Sequence, residues 1–248
     1  MSGPFRFSAS ITPPGAAMSG PEAEERVVAA VVEAILGHRI PPGTRLVERE
    51  LGKASGASRS AIRNGLLRLA QAGLVELSPN KGASIAQCSP EEARHVFEAR
   101  IAIETSTART LAERMTASDR ARLEAFIEEE RHAYEAGRME DARHLSRRFH
   151  LLLAELAGNP VLTGFVRDLI NRQPLLSWGS RDHKPRFCGN EAHRAIVAAL
   201  AAGDGEKAAR LNAEHLRELE SELGAERGNT LPAGEEAASG AGAPAGNQ

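Results

Sequence analysis

The chain has 248 residues, 42% of them hydrophobic and 26% charged, with a formal net charge of −2, the profile of a globular protein with room for two modest domains rather than of a disordered or fibrous one. No apolar run approaches the roughly 20 residues that a spanning helix needs, so no membrane partner is expected. Cys88 and Cys188 stand far apart and outside any C-x-x-C pattern, which argues against a disulfide framework or a cysteine zinc site and makes the cytoplasm the expected compartment.

Residues 1–20 are broken repeatedly by Gly and Pro and lack a continuous apolar core, so they read as a disordered leader rather than a signal peptide. A first amphipathic helix is predicted where Val27, Val28, Val31, Val32, Ile35 and Leu36 recur at helical spacing, with Gly37 and Pro41-Pro42-Gly43 as stop and turn. A short second helix is predicted over 48–54. After Ser55-Gly56-Ala57, Ser58 is placed to cap a third helix with Ile62, Leu66 and Leu69 on its apolar face. Gly73 ends it, and Leu74–Leu77 and Ala83–Ala86 then read as two strands around a Pro-Asn-Lys-Gly turn. Three helices and a hairpin make a winged helix-turn-helix over 21–88.

Ser89-Pro90-Glu91-Glu92 is a capping box with proline at the first helical position, and it opens a long helix toward Met115. Helices are predicted from there to Gly137, over 140–157, over 161 to about 172, and, beyond a loop at 174–189, over 190–202 and 205–223. The expected fold is mostly α: a winged helix-turn-helix followed by an all-helical bundle over 89–225 that binds ligand and dimerises. A disordered tail is expected over 226–248.

Charge is unevenly divided. Residues 39–88 carry eight Lys/Arg against three acids, whereas 89–225 carry 20 against 23, the asymmetry expected when only one domain meets a polyanion. In a helix-turn-helix the second helix enters the major groove N-terminus first. Here that edge presents Ser58, Arg59, Ser60 and Arg63: arginine forks suit guanine O6 and N7, and serine hydroxyls suit phosphate. Arg49 on the preceding helix and Asn80-Lys81-Gly82 at the wing tip are placed for backbone or minor-groove contacts. Any one of these arginines alone is better read as solvating a helical face; the ordered set is not.

The run ILGHRIPPGTRLVERELGKASGASRSAIRNGLLRLAQAGLVELSPNKGASI resembles the N-terminal domain of GntR-type transcription regulators, matching PG-x-x-L-x-E-x-x-L, a serine-arginine recognition-helix start, R-L-x-x-x-G-L-V and an N-[RK]-G wing. FEARIAIE, FHLLLAELAGN, EAHRAIVAALAAGD and AEHL resemble the all-helical FCD effector domain of the FadR-like branch. Ala61, Asn64 and Gly65 depart from the family's proline, glutamate and alanine. Gly65 inside a helix is expected to cost roughly 0.5–1 kcal/mol relative to alanine.

Of eight histidines, His38, His95, His132 and His144 read as surface residues, and His183 lies in an irregular loop. His193 and His215 lie 10 residues before and 12 after Gly203, so in an antiparallel helical hairpin they sit at similar depth, ~15 and ~18 Å from the turn. His150 offers a third imidazole, a set suited to Zn, Ni, Cu or Fe. Spacing alone favours structural histidines. The family resemblance implies the opposite: His150, His193 and His215 fall on its three divalent-metal histidines, with Ser146 at the position of its aspartate. It also implies an effector pocket with Arg100, Ser146 and Asn159.

The function expected is a ligand-responsive, DNA-binding transcription regulator rather than an enzyme, most simply a repressor. It would be a homodimer on a palindromic operator, sensing a small organic acid or related metabolite with a divalent metal (Zn, Ni or similar). Two other readings are a metal-dependent hydrolase with a three-His site, against which no H-E-x-x-H occurs and no carboxylate is clearly placed as general base, and a regulator with a metal-free pocket.

Overall fold

Residues 18–79, 82–176 and 188–228 are described in the computed structural model of the chain; Asn80, Lys81 and His183 lie outside them. The N-terminal unit starts with α1, Pro21–Leu36, which has proline in its first turn beside Glu22 and Glu24, acids that favour the positive helix end. It buries Val27, Val31, Ala34 and Ile35. The short α2, Glu48–Ser55, is stopped by Gly56 in the left-handed region at φ 67°. One turn of chain leads to α3, Arg59–Gln71, whose N-cap Ser58 accepts a hydrogen bond from the Ala61 backbone N–H.

Strands β2 (Val75–Ser78) and β3 (Gly82–Ile85) form the wing hairpin, with Val75 opposite Ile85 and Ser78 opposite Gly82. A third strand, β1 (Arg45–Leu46), pairs antiparallel with the far edge of β3, giving the order β1-β3-β2. Two residues are too few to show alternation, so sequence reading passes over β1. Ordered pairing also begins ahead of α1. The Met18 N–H donates to the Gly56 carbonyl at 2.9 Å, and its own carbonyl accepts from the Ser58 N–H at 2.7 Å.

Gly65 has a packing explanation that helix propensity hides. A β-carbon there would lie 2.9 Å from Val27 Cγ1 and 3.0 Å from Val27 Cβ, so the missing side chain lets α3 approach α1 closely. Val27 is β-branched and fully buried, and it has little room to turn aside.

The C-terminal unit is built of α4 (Pro90–Arg114), α5 (Ala117–Glu135), α6 (Met139–Ala157), α7 (Pro160–Leu176), α8 (Cys188–Ala201) and α9 (Gly205–Gly228). Capping boxes open α4, through Ser89 and Glu92, and α5, through Thr116 and Asp119. The long α4 is the central element, packed against α6, α7, α8 and most extensively α9. Helices α8 and α9 form a hairpin across Gly203 at φ 71°. Phe149, Leu152, Leu123, Leu111, Ile196 and Leu200 are the larger members of the main body core.

Helix α7 runs past the expected end near Arg172 and through Pro174 to Leu176. Proline cannot donate to the Ile170 carbonyl, an interior loss of about 3 kcal/mol in an isolated helix. Burial offsets it: Leu176 sits in a body cluster with Phe97 and Leu216, while Leu175 belongs to the core of the winged-helix unit.

Two arginines of the body also cap helices of the head. Arg172 Nε donates to the Ala72 carbonyl at the end of α3 at 2.7 Å, and Arg147 Nη2 donates to the Leu36 carbonyl at the end of α1 at 3.3 Å. The last turn of α1 has no basic residue of its own, so this cation, at the helix's negative end, comes from the other unit.

Gly65→Ala should therefore destabilise the protein by about 1 kcal/mol, the overpacking cost against Val27 exceeding the gain in helix propensity. In urea titrations its penalty should shrink when Val27→Ala is added; a stabilised single variant would show that close helix approach is not what the glycine serves.

Candidate metal centre, effector pocket and reading head

His150 on α6, His193 on α8 and His215 on α9 meet at the middle of the body, their ligand nitrogens all within 4.8 Å of one another and all three side chains buried. The hairpin arithmetic explains the pairing of the last two, whose Nε2 atoms are 3.1 Å apart. Ring packing fixes the planes. His193 stacks on Phe149 at 4.1 Å between centroids, and His150 lies parallel to His215 at 5.3 Å.

Two carboxylates orient these rings, and neither stood out in the sequence. Glu130 on α5 places Oε2 2.8 Å from His193 Nδ1, so that nitrogen carries the proton and donates, leaving the Nε2 lone pair toward His215. Glu104 on α4 places Oε2 2.9 Å from His150 Nδ1, with the oxygen out of line with the ring N–H. His150 Nε2 has no protein partner.

Burial first, with Glu104 opposing it, lowers the pKa of His150; burial and the charges of His193, His150 and Arg100 push His215 well below its ordinary value. These rings are therefore held neutral, the state in which imidazole ligates a metal. The donor set fits zinc or nickel.

Arg100 on α4 is fully buried. Its Nε donates to Glu104 Oε1 at 2.7 Å, its Nη1 donates to Gln173 Oε1 of α7 at 3.0 Å, and its Nη2 has no protein partner. Burial acts to raise the Glu104 carboxyl, yet Arg100 foremost, with the His150 ring beside it, outweighs that and holds the carboxyl at about 2. A guanidinium with one nitrogen, Nη2, left spare at a buried site is suited to a carboxylate. Ser146 is half-buried on α6 one turn before His150. Asn159 is not brought to the cluster: it is exposed, and its Oδ1 accepts from the backbone N–H groups of Val161 and Leu162, capping α7.

The reading head presents Arg59, Ser60 and Arg63 as exposed residues on the first turns of α3, beside half-buried Ser58. The Ser58 and Ser60 hydroxyls are 3.0 Å apart. Arg63 Nε is 3.1 Å from Glu48 Oε1, and Arg49 Nε is 3.2 Å from Glu50 Oε1; both arginines remain more than two-thirds exposed. Exposed pairs of this kind are weak, so phosphate or a base edge can displace them. By contrast Asn64 and Arg68 point back to Glu24 and Glu25 of α1. Gly82 opens β3 at φ 85°. Among the described residues, no helix is long and apolar enough to cross a membrane.

The family model for bacterial regulatory proteins of the gntR family matches residues 23–85, and that for the FCD domain matches 95–218. The HTH-type transcriptional repressor RspR of Escherichia coli is 30% identical over 181 residues, spanning 73% of this chain and 79% of the relative. Among solved structures, E. coli McbR/YncC superposes with a TM-score of 0.75 at 22% identity, over 85% of this chain and all of that one. A putative GntR regulator from Rhodococcus gives 0.71 at 22% identity, over 83% of this chain and 99% of that one. Head, body and polar centre thus meet in one assignment: the chain belongs to the GntR family of transcriptional regulators, with an FCD effector domain.

Proposed function

We propose that the protein is a homodimeric repressor that grips a palindromic operator with α3 and is regulated by a small organic acid bound, beside a divalent metal, at the His150/His193/His215 centre. The observation that carries this reading is the double engagement of Arg100. One side of its guanidinium pairs with the acid that positions His150. The other side holds Gln173, whose neighbour Arg172 caps the recognition helix and whose near neighbour Leu175 sits in the head core.

An anion drawn to Arg100 Nη2 competes with Gln173 for the guanidinium. The last turn of α7, already short of one backbone hydrogen bond at Pro174, is the element that such competition shifts, and the head moves with it. A coupling of this kind is typically worth 1–3 kcal/mol. Two heads on two-fold-related half-sites multiply affinity and fix spacing, which is why a dimer is part of the proposal.

His150, His193 and His215 would hold the metal through Nε2, which would supply a Lewis-acidic centre for an effector oxygen. Glu130 and Glu104 orient the rings from behind. With Ser146 at the family's aspartate position, one negative ligand is missing, so the ion is held more weakly than by a set that includes the aspartate.

Arg63→Ala should weaken operator binding by roughly 1–3 kcal/mol if its fork reads a base, and wild-type affinity should fall steeply with salt. Genomic selection that recovers no enriched palindrome would remove the reading-head role, and light scattering that shows a monomer with and without DNA would remove the dimer.

For the metal, calorimetry with zinc should show binding that weakens about 10–100-fold in Glu130→Gln, since that carboxylate sets the His193 tautomer, and that tightens in Ser146→Asp. Absence of zinc and nickel binding in the wild type at neutral pH would leave a metal-free polar pocket.

The route through α7 has its own measurement. Gln173→Leu touches nothing in the head, yet it should speed amide hydrogen exchange at Gly73 and Leu74, beside the carbonyl that Arg172 caps. Unchanged exchange there would show that Arg100 does not communicate with α3 through this turn.

A further inference from the structure

Asn212 on α9 is fully buried, and neither its Oδ1 nor its Nδ2 has a hydrogen-bond partner in the protein. A buried amide left this way costs stability on both atoms, whereas the one other buried side-chain amide among the described residues, Asn190, donates to the Ile127 carbonyl at 2.7 Å and accepts from Arg194 Nε at 3.0 Å.

The packing of α9 on α4 fixes what Asn212 faces. At one end Gly205 lies against Arg109 and Ala112; at the other, Leu216 packs with Val96 and Phe97. The helices therefore run antiparallel, and Asn212, seven residues along from Gly205 and four short of Leu216, comes level with the stretch between Arg100 and Glu104. It is also three residues before His215, on the same helical face. Arg100 Nη2, His150 Nε2 and His215 Nδ1 are likewise buried and unpartnered within the protein. Unanswered polar atoms of four residues on three helices thus lie at about the same level of the bundle.

We infer that Asn212 is an effector-binding residue, and that the molecule it recognises is a small carboxylate that also carries a hydrogen-bond donor close to the carboxyl. This rests on the regulator reading above and narrows its ligand class. The step from atoms to ligand is an accounting of donors and acceptors. Arg100 Nη2 offers only donors and calls for the carboxylate. Asn212 Nδ2 is satisfied by an acceptor, but its Oδ1 needs a donor, which a carboxylate lacks. A hydroxyl supplies donor and acceptor on one atom; an ammonium supplies the donor alone. A site built to bond such a group discriminates sharply against the analogue that lacks it, because the amide is then left unpaired.

The test has two readouts on the full-length protein. Asn212→Leu keeps the branching of the side chain and removes the two unanswered atoms, so the ligand-free variant should melt about 2–4 °C higher than the wild type. Asn212→Ala, which leaves a cavity, should melt lower. A lower melting temperature for Asn212→Leu shows an amide already bonded within the fold and overturns the inference.

The second readout is thermal protection by three acids on one skeleton: butyrate, 2-hydroxybutyrate and 2-aminobutyrate, at millimolar concentration with zinc present. One of the two substituted acids should protect the wild type more than butyrate, and that advantage should vanish in Asn212→Leu. The stronger of the two names the donor, hydroxyl or ammonium. Equal shifts for all three, or no shift from any, overturn the inference. Operator binding measured on the same preparations separates this from the wider reading: wild type and Asn212→Leu should bind DNA alike, and loss of DNA binding in the wild type would instead sink the regulator itself.

Discussion

The pairing of Arg100 with Glu104 is the interaction on which the rest of the body is arranged. It sits in the middle of α4, both side chains essentially without solvent contact, where taking two charges out of water is expensive and the attraction between them offsets that cost only with good geometry and further hydrogen bonds. Here the Nε–Oε1 distance is 2.7 Å, and each partner has another neighbour: Gln173 on the guanidinium, His150 on the carboxylate. Hydrophobic residues of equal volume would hold α4 in place at least as well. What they would lack is a charged joint between the histidine cluster on one side and α7 on the other.

That joint matters because the head is not attached to the body by chain connectivity alone. Leu175 fills the head core from α7, and Arg172 and Arg147 cap the C-terminal ends of α3 and α1. A β-carbon on Gly73, at φ 71°, would fall 2.5 Å from the Arg172 guanidinium, so left-handed backbone and close approach both select glycine at that point. The orientation of α3 is thereby referred to the last turn of α7. The same turn carries the Gln173 contact to Arg100, so the buried Arg100–Glu104 pair and α3 share one short mechanical element.

Much of this was legible in the sequence, because turn and cap chemistry is local. Ser58 before Arg59, the Ser89–Glu92 box and Gly203 between two apolar helical patterns fix where α3, α4 and the α8–α9 hairpin begin or turn, and the hairpin geometry then sets His193 beside His215. His150 was available as a third imidazole, and the resemblance to a known effector domain is what turned the three from structural histidines into an expected metal set. The orienting acids were not legible. Glu104 and Glu130 lie in helices rich in exposed acids, and nothing in a one-dimensional pattern separates a carboxylate aimed at a histidine from one that faces water. Arg100 followed four residues later by Glu104, between apolar neighbours Ile101 and Ile103, was the nearest available signal. Gly65 misled in the other direction: propensity counts it as a cost, whereas contact with Val27 makes it a requirement. The continuation of α7 through Pro174 was hidden because tertiary burial of Leu175 and Leu176 outweighs a local rule.

The charge balance at the centre gives the proposed pairing of metal and anionic effector a physical basis. Among the side-chain charges there other than the imidazoles, Glu104 and Glu130 against Arg100 leave one net negative charge, which disfavours a carboxylate and favours a cation. With a divalent ion held by the three histidines the balance inverts to one net positive charge, and the low dielectric of the interior makes that inversion count for more than it would at the surface. An anionic effector would then bind more tightly to the metal-loaded protein, and by reciprocity the metal would bind more tightly to the effector-loaded protein. The carboxylate at Ser146 that this chain lacks would have cancelled part of that positive charge. On the proposed reading, its absence would weaken the hold on the ion and strengthen the pull on the anion, so that each would favour binding of the other.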